Sequence, residues 1–153
     1  MDFLHEKQVS LEDLMPLIRE NLGAGQSVRF SPRGTSMLPM LRQGVDSVVL
    51  SPVPEALKKY DLPLYRRDNG QYVLHRIVKA GQACTCMGDN QLAPELGVTR
   101  EQMIAVVTGF YRRNKFYPVA HPGYRLYCRV WHHSRPLRRI LRGGKALLRR
   151  LLS

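Results

Sequence analysis

Short runs of alternating hydrophobic and polar residues fill the middle of the chain, and this pattern predicts half-buried β-strands. Asp68-Asn69-Gly70 lies between two such runs and is a typical hairpin turn, whereas residues 94–98 are predicted to be a loop. Many short strands separated by turns predict a mainly β fold, a coiled antiparallel β domain over residues 26–119. The predicted strands are residues 27–31, 46–51, 60–67, 71–79, 83–87, 103–111 and 115–119.

Residues 10–22 instead carry hydrophobic side chains at helical spacing. Ser10 is a good N-cap residue, and Gly23 is a typical residue at a helix end. We therefore expect an N-terminal segment, residues 1–25, whose helix packs over one edge of the sheet.

Residues 120–153 are predicted to form a basic amphipathic helical tail. Tyr124, Tyr127, Cys128 and Trp131 fall on one helical face, and Ser134 can cap a further helix. Within that further helix, Gly143-Gly144 is a weak point or hinge. Its apolar stripe contains Leu137, Ile140, Leu141, Leu148, Leu151 and Leu152, and most of the remaining positions are Arg or Lys.

The positive charge is concentrated in the last third of the chain. The formal net charge is +12, yet residues 1–101 hold 12 Lys or Arg and 12 Asp or Glu, while residues 102–153 hold 12 Lys or Arg and no acid. A basic amphipathic helix preceded by aromatic residues is typical of interfacial membrane helices. Residues 124–153 are therefore predicted to bind an anionic membrane surface, with docking of the helix on its own domain as the alternative. Nucleic-acid binding is disfavoured because polar base-reading side chains are lacking.

Three cysteines, Cys84, Cys86 and Cys128, form no disulfide framework and indicate a reducing compartment. Buried thiols are favoured over a metal site, and no metal or cofactor is predicted. No run of about 20 apolar residues is present to span a bilayer. Residues 1–9 include several charged side chains and resemble neither a secretory signal nor an anchor. A cytoplasmic, peripherally membrane-associated protein is expected.

Candidate chemistry starts at the segment Arg33-Gly34-Thr35-Ser36-Met37-Leu38-Pro39-Met40, where Gly34 and Pro39 favour a rigid loop that presents the Ser36 hydroxyl. A serine needs a base to remove its proton, and His75, within the predicted strand 71–79, is of a suitable type. The segment Met87-Gly88-Asp89-Asn90-Gln91 predicts a turn.

The ordered set of serine loop, His75-Arg76 and Gly88-Asp89-Asn90 resembles the type I signal peptidase family, in its endoplasmic-reticulum and archaeal subtype, where histidine is the base. The resemblance covers about residues 28–111 and implies a signal-peptidase or SOS-repressor-peptidase type of fold. It further implies a serine endopeptidase that cleaves a precursor or leader peptide, with Ser36 as nucleophile and oxyanion donor and His75 as general base. Unlike this chain, members of that family usually carry a transmembrane segment.

The same resemblance implies that Gly34, Met37 and Pro39 form part of the substrate-binding loop. Two acids, Glu95 and Asp89, can orient His75, and Glu95 lies nearer to the place of the orienting acid in that family. Asp89 can instead fix the turn. A catalytically inactive module that binds a membrane surface or a partner peptide is the competing function.

Overall fold

Nine strands form two antiparallel sheets in the computed structural model, which describes residues 10–152. The larger sheet contains β1 (Val28–Phe30), β2 (Asp46–Ser51), β3 (Pro63–Arg66), β4 (Tyr72–Leu74), β8 (Met103–Arg112) and β9 (Lys115–Pro118). Its order is β1-β2-β8-β3-β4, and β9 also pairs with β8. The smaller sheet contains β5 (Arg76–Lys79), β6 (Ala83–Met87) and β7 (Glu95–Thr99), in that order. The smaller sheet is inserted between β4 and β8 of the larger sheet, and the chain passes from one sheet to the other at His75, between β4 and β5.

Three α-helices of the described residues accompany the sheets: α1 (Leu11–Gly23), α2 (Pro122–His133) and α3 (Arg135–Leu152). They contribute about as many residues as the strands, so the fold is a mixed α/β arrangement with antiparallel sheets. The predicted cap of α1 is confirmed, because the Ser10 hydroxyl accepts from the Asp13 amide and the Ser10 amide donates to the Asp13 carboxylate. The expectation for residues 1–9, neither signal nor anchor, lies outside the described residues.

Two hydrophobic cores lie on opposite faces of β3, because successive side chains of a strand point to opposite sides. Leu64 belongs to the larger core, which also contains Ile18 of α1 and Tyr124 of α2. Tyr65 belongs to the smaller core together with Cys86. The predicted burial of the cysteine thiols is confirmed, since Cys84, Cys86 and Cys128 are all buried and unpaired.

Three local predictions are wrong. The predicted loop at 94–98 is strand β7, whose outer face is exposed and which buries only Val98. Its weak hydrophobic pattern and Gly97 suggest a loop, and only pairing with β6 makes the segment a strand. The predicted strand 71–79 is broken at His75 into β4 and β5, which belong to different sheets. The predicted strand 60–67 is also shorter, beginning at Pro63.

Helix α1 offers a direct test of the larger core, because Ile18 is buried and its neighbour Leu17 is 56% exposed. We expect Ile18→Ala to lower the free energy of unfolding by about 2–5 kcal/mol, through lost burial and a residual cavity. The control Leu17→Ala should change it by about 0.5 kcal/mol or less. Urea denaturation of both variants measures the difference, and equal effects would contradict the packing of α1.

Candidate functional site

The serine loop, residues 33–40, connects β1 to β2 and is fixed by its hydrophobic side chains. Met37 and Met40 are buried in the larger core, whereas Ser36, directly before Met37, is only half-buried. Gly34 has φ +87°, a conformation that favours glycine, and its amide donates to Gln43 Oε1 at 2.8 Å. The loop is therefore held at both ends and keeps the Ser36 side chain near the surface.

A cavity of about 180 Å³ lies between this loop and strand β4. Gly34, Ser36 and Met37 line one side, and residues 71–74 line the other. Of the residues predicted to bind substrate, Gly34 and Met37 thus border the cavity with Ser36, whereas Pro39 lies at a different cavity. Strand β4 is at the edge of its sheet and pairs only with β3 among the described strands.

The turn at residues 88–91 contacts the serine loop through hydrogen bonds from Asn90. The Asn90 amide donates to the Ser36 carbonyl at 2.9 Å, and Asn90 Nδ2 donates to the Thr35 carbonyl at 3.1 Å. A Cβ atom at Gly88 would lie 2.5 Å from the Ser36 carbonyl oxygen, so the close approach requires glycine there. The resemblance placed these residues in one motif set, and the structure brings them into direct contact.

His75 occupies the break between the two sheets and is 1% exposed. Burial lowers the pKa of its imidazole to about 4, and the nearby positive charge of Arg67 acts in the same direction. The neutral form is therefore present at neutral pH. Its Nε2 atom is buried and has no hydrogen-bond partner among the described residues, so Ser36 Oγ is not bonded to it in this structure.

Tyr65 determines which nitrogen of His75 carries the proton. The Tyr65 hydroxyl donates to Glu95 Oε2 at 2.6 Å and lies 3.4 Å from His75 Nδ1. Because its single proton is directed at the carboxylate, the hydroxyl oxygen can only accept from Nδ1–H. This assigns the Nδ1–H tautomer and leaves an unshared electron pair on Nε2, which is the arrangement of a general base.

Glu95 approaches His75 directly as well, with Oε2 4.0 Å from Nδ1. Its partial burial opposes ionisation, but the hydrogen bonds from Arg67 and Tyr65 outweigh that effect and lower the pKa of Glu95. Arg67 donates from Nε and Nη2 at 2.9–3.2 Å. The structure thus places an ionised acid beside His75 and a tyrosine between them.

Asp89, the other acid predicted to orient His75, has different partners. Arg76 donates to both of its carboxylate oxygens, at 2.8 and 2.9 Å, and Tyr127 donates to Oδ2 at 2.8 Å. Asp89 and Arg76 are each 3% exposed. No hydrogen bond joins Asp89 to His75, so the geometry assigns Asp89 to a buried ion pair under α2.

Sequence reasoning missed Tyr65, whose hydroxyl lies 3.4 Å from His75 Nδ1, and Arg67, which donates to Glu95. The predicted hairpin at Asn69-Gly70 contained a signal, because its register pairs Tyr65 with Val73, two residues before His75. Periodicity alone could not show that Tyr65 faces the smaller core. Asn90 belongs to the Gly88-Asp89-Asn90 motif, but only the tertiary structure shows its contact with the serine loop.

The chain matches no protein-family model, no curated protein and no solved structure. Over residues 10–152, no group of three or more metal-ligating side chains is found, and no helix is long and apolar enough to cross a membrane. Function is therefore inferred from the geometry of the site.

Replacing Asp89 tests whether the buried ion pair is structural. Asp89→Asn leaves the Arg76 charge buried without its partner, so we expect the free energy of unfolding to fall by about 3–5 kcal/mol. The control Asp68→Asn alters an exposed acid and should cost about 0.5 kcal/mol or less. Chemical denaturation measures both, and an unchanged stability of Asp89→Asn would contradict this role.

The lowered pKa of His75 predicts a pH dependence of stability. As the pH falls, the unfolded chain takes up a proton at His75 near pH 6.5, whereas the folded protein takes it up only near pH 4. Stability from the neutral histidine is therefore present above pH 6.5 and is lost between pH 6.5 and 4, by up to about 3 kcal/mol. A His75→Gln variant should lack this part of the pH profile; the same slope in both proteins would contradict the assignment.

Proposed function

We propose that this protein is a serine endopeptidase that cleaves a precursor or leader peptide, similar to type I signal peptidases with a histidine base. The observation that carries the proposal is the buried, neutral His75, whose Nε2 is free to accept a proton while its Nδ1–H is directed at Tyr65. His75 directly follows Leu74, which lines the same cavity as Ser36. The antiparallel sheets around this pair suit the signal-peptidase type of fold that the motifs imply.

In the proposed mechanism, Ser36 Oγ attacks the scissile carbonyl and its proton passes to His75 Nε2. The resulting imidazolium is stabilised by the ionised Glu95, both across 4.0 Å and through the Tyr65 hydroxyl. His75 then donates the proton to the leaving amine, and water hydrolyses the acyl-enzyme by the same proton transfers in reverse. The Ser36 amide is the proposed donor to the oxyanion.

The edge position of β4 supports a peptide as substrate. An extended peptide can pair with a free strand edge, and β4 has such an edge beside the serine loop. The cavity of about 180 Å³ between them has room for a small side chain next to the scissile bond. A preference for cleavage after small residues follows.

A non-catalytic module that binds peptide at the same edge is the competing proposal. The lack of a hydrogen bond between Ser36 Oγ and His75 Nε2 favours it. Catalytic hydrogen bonds are often long or poorly aligned before substrate binds. The missing bond is therefore also compatible with an enzyme. The reactivity of Ser36 distinguishes the two proposals.

Three unpaired cysteines favour a reducing compartment for the proposed enzyme. We therefore place its action at the cytoplasmic side of a membrane, on a dedicated precursor.

A fluorophosphonate probe tests the nucleophile, because it reacts covalently only with an activated serine. We expect the full-length protein to be labelled, and Ser36→Ala and His75→Ala to lose labelling while remaining folded by circular dichroism. Ser31→Ala, at an exposed serine near the start of the loop, is the matched control and should be labelled normally. An unlabelled wild type would support the binding module, and labelling that persists in Ser36→Ala would contradict Ser36 as the nucleophile.

Variants of Glu95 and Tyr65 test the orientation of His75. Glu95→Gln and Tyr65→Phe should each lower kcat by about 100-fold or more, though by less than the roughly 10⁴-fold of an acid bonded directly to the histidine. Glu101→Gln, at an exposed glutamate, is the control and should leave kcat unchanged. Cleavage of a model precursor peptide under single-turnover conditions gives the rates. A loss for Glu101→Gln as large as for Glu95→Gln would argue against the proposed orientation.

A further inference from the structure

Helix α3 contacts the rest of the protein through its arginines. Arg138 donates to the Asp89 carbonyl at 3.2 Å, and Arg139 donates to the Leu92 carbonyl at 3.1 Å. Arg142 donates to the carbonyl and the side-chain oxygen of Asn90, at 2.9 and 2.7 Å. The basic face of α3 is therefore bound to the segment 89–92, and we call these three bonded arginines the arginine clamp.

The opposite face of α3 is apolar and uncovered. At about 100° per residue, the leucines and isoleucine of α3 fall on the side away from the arginine clamp. All of them are 57–80% exposed, and none of the residues of α3 is buried. These exposed residues are Leu137, Ile140, Leu141, Leu147, Leu148, Leu151 and Leu152.

This orientation is the reverse of that in ordinary surface helices, which turn their apolar stripe towards the core. A contiguous exposed apolar face of this size marks an interaction surface. The helix runs without a break through Gly143-Gly144, so the predicted hinge is not a break in the structure and the whole face is one surface.

Charge determines which occupant suits this face. Residues 102–153 contain 12 Lys or Arg and no acid, so a second copy of α3 would bring like charges together. Lys145 and Arg149 are exposed, and an anionic surface would attract them. We propose that α3 binds an anionic lipid surface, with its apolar face in the headgroup boundary and the exposed Lys145 and Arg149 near the lipid phosphates.

Lipid binding by α3 would hold the candidate site beside the membrane. Arg142 of the arginine clamp donates to Asn90, and the same Asn90 donates to the serine loop at Thr35 and Ser36. The lipid-binding proposal itself is independent of the proposed peptidase function, because it depends only on the exposed face and the charge of α3.

Vesicle co-sedimentation of the full-length protein tests the proposal. We expect binding to vesicles of phosphatidylcholine with phosphatidylglycerol, weaker binding at high salt, and little binding to phosphatidylcholine alone. Leu141→Glu combined with Leu148→Glu should weaken binding by at least about 10-fold. The control Leu17→Glu alters a leucine of α1 with matched exposure, 56% against 57% and 59%, and should bind as the wild type does.

Three outcomes would overturn the proposal. In the first, the wild type stays in solution when anionic vesicles are sedimented. In the second, the double variant binds as tightly as the wild type. In the third, the wild type binds neutral and anionic vesicles equally. Light scattering after gel filtration, at matched concentration and without lipid, distinguishes a second copy as occupant. A wild-type dimer that the double variant dissociates, without lipid binding by either, would assign the face to self-association. Equal circular dichroism spectra of all variants confirm that folding is unaffected.

Discussion

The buried ion pair between Arg76 and Asp89 is the interaction on which the rest of the structure depends. Two charges withdrawn from water destabilise a protein unless their hydrogen-bonding groups are satisfied. Here Arg76 donates to both oxygens of Asp89 and also to the Tyr124 hydroxyl, while Tyr127 donates to Asp89. The Trp131 indole donates to the Asp89 carbonyl at 2.7 Å. One pair of charges thereby joins the smaller sheet, the turn after β6 and helix α2.

The position of the serine loop follows from this ion pair. The turn that Asp89 fixes also presents Asn90 to the loop, and the Asp89 amide points at the Met37 sulfur at 3.5 Å. The arginines of α3 bind the far side of the same turn. A single four-residue turn therefore connects the candidate nucleophile to the helix that carries most of the excess positive charge.

The change from one sheet to the other at His75 explains its chemistry. His75 lies where the chain passes from β4 of the larger sheet to β5 of the smaller one, and it is 1% exposed there. Burial favours the neutral imidazole. Tyr65, from the neighbouring strand, then sets the tautomer through its bond to Glu95. A base with a free Nε2 is thus a consequence of how the two sheets meet.

Local chemistry in the sequence predicted the Ser10 cap, the Asn69-Gly70 hairpin, most of the strands and the two faces of the C-terminal helices, because these depend on neighbouring residues only. It also predicted an acid beside His75, with Glu95 and Asp89 both open. Tertiary structure decided which acid lies there, since a carboxylate's role depends on the cation it meets, Arg67 in one case and Arg76 in the other. It also made a strand of β7 and turned the apolar face of α3 outward. Those outcomes depend on pairing and packing between residues that are distant in sequence. The periodicity of a single segment carries no information about such contacts.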